Sequence, residues 1–122
     1  MDFQYILTDL LASTEGAIGV LFLDGGGETV DVVCSEFTPY QMRVVGAYFG
    51  IYLRQLDRVC QGDLGSPRLV HIEREGLHLH AMALPDGYYL VLVQRRPGQV
   101  SWARAQLQKA GLDVSREVFG TA

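Results

Sequence analysis

Disulfide chemistry is almost absent from this chain: its 122 residues hold two cysteines, Cys34 and Cys60. Two are too few for a disulfide framework, so both are expected as free thiols. Basic excess is also lacking. Ten Lys and Arg stand against fourteen Asp and Glu, a formal charge of -4. A nucleic-acid surface would need clustered cationic side chains on one face, and none is legible. No apolar run approaches the ~20 residues that span a bilayer, which excludes insertion as a helix. Met1-Asp2 offers no basic opening of a secretory leader, so a cytoplasmic location is expected.

Catalytic signatures are lacking too. There is no Gly-x-Ser-x-Gly elbow. Ser13, Ser35, Ser66, Ser101 and Ser115 have no base placed near them by any pattern. Asp24 and Asp86 sit in turn sequences, where aspartate serves turn geometry. No catalytic residue, cofactor-binding residue or metal ligand is assigned, and a non-enzymatic chain is expected.

What is present is ordinary globular material, 48% apolar and 20% charged. At this length one domain over residues 1–122 is expected, with a core large enough to fold without a staple. Phe3, Ile6, Leu7, Leu10 and Leu11 recur at helical spacing, giving a helix α1 over Phe3–Thr14 with Asp2 as N-cap and Gly16 as stop. Two apolar runs, β1 (Ala17–Leu23) and β2 (Thr29–Ser35), flank Asp24-Gly25-Gly26-Gly27 and read as a hairpin. No Gly-Lys-Ser/Thr follows these glycines, and the next element is a strand, so a phosphate loop is excluded. Thr38-Pro39 is an N-cap followed by proline at the first helical position. The helix it opens, α2, runs to about Cys60 and contains Gly46 and Gly50, whose small size lets another backbone come close. Three strands follow as a meander: β3 (Arg68–Arg74), β4 (Leu77–Leu84) and β5 (Tyr88–Gln94), turning at Glu75-Gly76 and Pro85-Asp86-Gly87. After Pro97-Gly98 a last helix, α3, carries Val100, Ala103, Leu107, Ala110, Val114 and Val118 on one stripe, with Gly111 inside it. The order is α-β-β-α-β-β-β-α, with no repeat, linker or low-complexity tract.

The helix α2 has more apolar surface than one sheet can cover. On a wheel of 100° per residue, Val45, Phe49, Tyr52 and Leu56 form the expected sheet-facing stripe. Val44, Tyr48 and Ile51 form a second stripe beside it. Met42, Leu53 and Cys60 flank the other side, and Arg43, Arg54 and Asp57 take the remainder. In the meander, β3 has only β4 as a sequence neighbour. Its other edge, Leu69-Val70-His71-Ile72, is a pairing hazard if left open. A symmetric second copy would cover both features, since two-fold homodimers are the commonest oligomers. The alternative is a monomer whose loops cover them. The expected dimer interface is therefore Val44, Tyr48, Ile51, Leu69, Val70, His71 and Ile72.

With a two-residue turn at Glu75-Gly76, His71 faces His80 and Glu73 faces His78. Three imidazoles and a carboxylate on one face can bind zinc. They also make, more simply, the polar face of a hairpin whose other side carries Ile72, Leu77 and Leu79. Arg95-Arg96 reads as a solvated strand end. Trp102 lies off the α3 stripe, either half-buried or as an anchor for a partner.

Several stretches together resemble the Roadblock/dynein light chain family, with its bacterial MglB-like members. They are Ala17-Ile18-Gly19-Val20-Leu21-Phe22-Leu23-Asp24 with its glycine turn, the long helix from Pro39, Asp86-Gly87-Tyr88-Tyr89-Leu90-Val91-Leu92-Val93, and Trp102-Ala103-Arg104-Ala105-Gln106-Leu107. The resemblance spans nearly the whole chain. It implies an α+β, profilin/longin-like fold: a five-stranded antiparallel sheet of order 2-1-5-4-3, with α1 and α3 on one face and α2 on the other. It implies dimers through β3–β3′ pairing and α2–α2′ packing, and binding or regulation of a Ras-like small GTPase. Some bacterial members stimulate the partner's hydrolysis. An arginine given in trans would come from Arg43, Arg54, Arg58 or Arg68, all expected to be exposed. The competing functions are a scaffold or adaptor dimer with no GTPase partner, and a metal-binding protein using the histidine face.

Overall fold

A computed structural model describes residues 3–60 and 62–120 of the chain. The elements are α1 (Gln4–Ser13), β1 (Ala17–Leu23), β2 (Thr29–Cys34), α2 (Pro39–Val59), β3 (Leu69–Glu73), β4 (Leu77–Ala83), β5 (Tyr89–Arg95) and α3 (Val100–Val114). The five strands form one sheet of order β2-β1-β5-β4-β3, antiparallel throughout. This is the order the resemblance implies. The N-cap expected at Asp2 lies outside the described residues. Among the described residues, no helix is long and apolar enough to cross a membrane.

Two apolar layers sandwich the sheet. On one face Val20, Phe22, Leu90 and Leu92 pack against Ile6, Leu7 and Leu10 of α1 and Ala103, Leu107 and Val114 of α3. On the other, Leu21, Leu23, Val91 and Val93 pack against Met42, Phe49 and Leu53 of α2. Strands β1 and β5 are covered on both faces, which is why they read as unbroken apolar runs.

Local chemistry sets the turns. Asp24 Oδ1 accepts from the Gly26 and Glu28 amides, each at 2.9 Å, and Gly27 takes φ +86°. Asp86 and Gly87 both have positive φ, 61° and 80°, and join β4 to β5 in the left-handed sense that suits a hairpin. A full capping box opens α2: the Thr38 side chain accepts from the Gln41 amide at 3.1 Å, and the Thr38 amide donates to Gln41 Oε1 at 2.9 Å.

The sheet-facing side of α2 differs from the wheel reading. The buried positions are Met42, Gly46, Phe49, Gly50 and Leu53. Tyr52 and Leu56 are exposed, and Val45 is half-buried. The true stripe is rotated by about 60°, since three residues at 100° each fall 60° short of a full turn. The cause is the glycines. A Cβ on Gly46 would meet Leu21 Cδ2 at 2.7 Å, and one on Gly50 would meet Gly27 Cα at 3.0 Å. The helix sits down on the sheet through its smallest residues, which a ranking by side-chain hydrophobicity passes over. The stripe of α3 also ends early. Beyond Val114 the chain widens into a π-type turn over Ser115–Phe119, which leaves Val118 exposed. Phe119 packs on Tyr88 instead, ring centroids 5.1 Å apart.

Candidate functional site

Helix α2 lies over β1 and β2, so it leaves a ridge of its own apolar side chains uncovered. Val44, Tyr48, Ile51 and Tyr52 are 38%, 61%, 40% and 52% exposed. Beside the ridge runs a hollow of 280 Å³. Its α2 wall is Val44, Val45, Tyr48, Phe49 and Tyr52, and its other wall is Arg74 and Leu79 of the β3–β4 hairpin. A second hollow of 210 Å³ shares Val45, Arg74 and Leu79 with the first and adds Phe37, Met42, Leu77 and Val93. The ridge and the hairpin thus border one apolar trough on the α2 side of the sheet.

The hairpin supplies an unpaired edge. Among the described residues β3 pairs only with β4 and terminates the sheet. Val70 and Ile72 are half-buried toward the α2 layer, while Leu69 turns to the opposite layer. All seven residues expected at an interface are therefore on the ridge or on this edge strand. The trough residues Arg74, Leu77 and Leu79 are not among them. The alternation of Leu77 and Leu79 with His78 and His80 holds the signal, because it aims the leucines at the face that carries α2.

The opposite face of the hairpin bears the histidines in the expected register, His71 opposite His80 and Glu73 opposite His78. His78 and His80 are buried, and His71 is exposed. His71 Nε2 lies 2.9 Å from His78 Nδ1, and the His71 ring stacks on His80 with centroids 4.8 Å apart. His80 Nε2 lies 3.0 Å from Gln94 Oε1. The Gln94 amide nitrogen donates to the carbonyls of Glu15 and Gln99, at 3.0 and 3.2 Å. Burial pushes the His80 imidazole below its ordinary value, against the Gln94 hydrogen bond, with the nearby His71 and His78 adding to the lowering. Glu73 pairs with Arg96 at 2.9 Å. Each of these side chains thus already has a partner, and among the described residues no three His, Cys, Asp or Glu side chains are arranged to hold a metal ion.

The remaining candidates fall into place. Cys34 and Cys60 are free. Arg95 pairs with Glu36. Arg43, Arg54, Arg58 and Arg68 are all exposed, and Arg54 alone of the four reaches the Gly26 carbonyl and lies against the glycine turn. Trp102 is half exposed, and its indole N–H donates to the Ser13 carbonyl at 3.3 Å, joining α3 to the end of α1.

No protein-family model matches the chain, and neither does any curated protein sequence. Solved structures do. A Roadblock/LC7 domain from Streptomyces avermitilis superposes with TM-score 0.86 at 16% identity, covering 99% of this chain and all of that one. This chain has the Roadblock/LC7 fold. An MglB structure in a tetrameric arrangement matches with TM-score 0.85 at 15% identity, over 97% of this chain and 88% of that one. The gliding protein MglB from Thermus thermophilus matches with TM-score 0.83 at 15% identity, over 98% and 90%. Within a Roadblock/LC7 fold the edge position of β3 and the one-sided seat of α2 are properties of topology, so ridge and open edge share one side of the sheet by construction.

Proposed function

We propose that the chain acts as a homodimer that binds a Ras-like small GTPase and has no turnover of its own. The observation that carries the dimer is the adjacency of the ridge, the trough and the open edge. A two-fold copy would pair β3 with β3′ and lay each Val44-Tyr48-Ile51 ridge against its twin, with Leu69, Val70, His71 and Ile72 along the seam. The buried area expected for such a contact is roughly 1,200–2,000 Å². The likeness of fold to MglB, one structure of which is described as tetrameric, supports self-association. The GTPase reading rests on the family resemblance together with the absence of a legible catalytic constellation. Any stimulation of hydrolysis would come from ordering the partner's switch segments, or from an arginine in trans, an effect that can reach ~10³ or more. Arg43, Arg58 and Arg68 are freer for that role than Arg54.

Two measurements test this. Light scattering on the order of tens of micromolar should give a dimer. Ile51→Glu should give a folded monomer, because Ile51 is exposed in the single chain and its charge is harmful only against its own copy. A monomeric native chain sinks the reading, and an unchanged Ile51→Glu dimer moves the interface elsewhere. The dimer should also bind at least one small GTPase of its own genome in one nucleotide state. Binding to none leaves a scaffold dimer, and GTP hydrolysis by this chain alone overturns both.

A further inference from the structure

The histidine face of the hairpin lies behind the very strand whose edge is open. We propose that His71, His78 and His80 form a proton-sensitive latch, which holds β3 on β4 at neutral pH and loosens it in acid. The coupling of that latch to self-association rests on the dimer reading above.

The hydrogen bonding fixes where protons are. Gln94 uses its amide nitrogen on two carbonyls, those of Glu15 and Gln99. Its Oε1 is therefore the atom toward His80, and the His80 Nε2–H donates to it. In the neutral ring Nδ1 is then bare. Between His71 Nε2 and His78 Nδ1, 2.9 Å apart, there is room for one proton. One ring donates and the other accepts. A second proton at that contact replaces a hydrogen bond with two N–H groups pointing at each other.

The surroundings do not absorb added charge. On β3 the acidic neighbour is Glu73, already committed to Arg96 at 2.9 Å. From α3 comes Arg104, which lines the same hollow as His71, His80 and Leu107, so that element contributes a positive charge. From β5 comes Gln94, which is neutral. From the end of α1, Glu15 contributes its carbonyl oxygen to Gln94. Three rings with centroids 4.8–5.9 Å apart, two of them buried, thus face an arginine and one occupied carboxylate. The sign follows from His80. Its folded value is lowered by burial, so the unfolded ring takes a proton first as pH falls through about 6.5. Stability from this group is complete above that value and is lost as pH falls on toward the depressed folded value.

The experiment is backbone hydrogen exchange on the intact chain at about pH 7.5 and about pH 5.5, bracketing imidazole titration and corrected for intrinsic rates. Leu69–Glu73 should lose protection relative to β1 in acid, by up to about tenfold for one ring that titrates near 6.5 when unfolded and is read at pH 5.5. His71→Gln, at an exposed position, should fold and shrink that difference, because it removes the His71–His78 contact that a second proton breaks and leaves the buried His80 in place. β3 protection that tracks β1 at both pH values overturns the latch, as does a His71→Gln chain with the native difference. Light scattering at the same two pH values reads the coupling. A dimer at neutral pH that dissociates in acid is expected, and one equally tight at both overturns the coupling. A chain monomeric at both overturns the dimer reading, while exchange at β3 still judges the latch.

Discussion

Gly50 and Gly111 are both buried helical glycines, and their neighbours give them opposite prospects. A methyl group on Gly50 would stand 3.0 Å from Gly27 Cα and 3.2 Å from Gly27 O. Those are backbone atoms of a turn held by Asp24, and they cannot swing aside. Helix propensity favours alanine by ~1 kcal/mol, but overpacking costs ~1–3 kcal/mol. Gly50→Ala is therefore expected to lower the urea midpoint with an unchanged slope. At Gly111 the obstruction is the thioether end of Met82, which is half-buried and flexible. Gly111→Ala should cost less than Gly50→Ala or nothing, and a reversed order in the two midpoints would refute the comparison. The sequence shows that a backbone can come close at Gly50, but not which atoms come close at either glycine. A glycine in a helical pattern announces a cost, but the atom that would meet its Cβ lies 23 residues away for Gly50 (position 27) and 29 for Gly111 (position 82).

Elements are legible wherever a local signal suffices. The boundaries of β1 and the start of α2 follow from an apolar run and from Thr38-Pro39, both read without tertiary information. The two-residue turn at Glu75-Gly76 places His71 opposite His80 because cross-strand register propagates from the turn. The wheel misjudges the rotation of α2 for a physical reason: the contact stripe contains two residues with no side chain. Val118 falls off its stripe because a π-type turn shifts the phase after Val114. The candidate surface inherits this division. Tyr48 and Ile51 are visible as surplus apolar residues and Leu79 through the alternation of its strand, but Arg74 joins them only through packing. The capping box offers a test at this scale. Thr38→Ala removes an acceptor for the Gln41 amide and should cost about 1 kcal/mol, measured by thermal unfolding. A change within error would mean that packing alone sets the start of α2.

At the scale of the whole molecule, a dimer built on β3 makes stability depend on concentration. Anything that binds the folded state raises the unfolding midpoint by mass action, and a second copy is such a ligand. The melting temperature should therefore climb as the protein is concentrated, and that of Ile51→Glu should not. A melting temperature flat across two decades of native protein would contradict the proposed assembly. The sheet has a second end, β2, where Asp31 Oδ1 accepts from the Val32 amide at 2.8 Å. A side chain thus occupies a backbone donor that a further strand would need. Counted as a building block, the chain has a valence of one: a single adhesive margin and a single blunted one. In the proposed assembly such a unit would close on itself in pairs rather than propagate into a ribbon. Asp31→Val would raise the valence to two, and sedimentation of that variant should reveal species that grow with concentration beyond the pair.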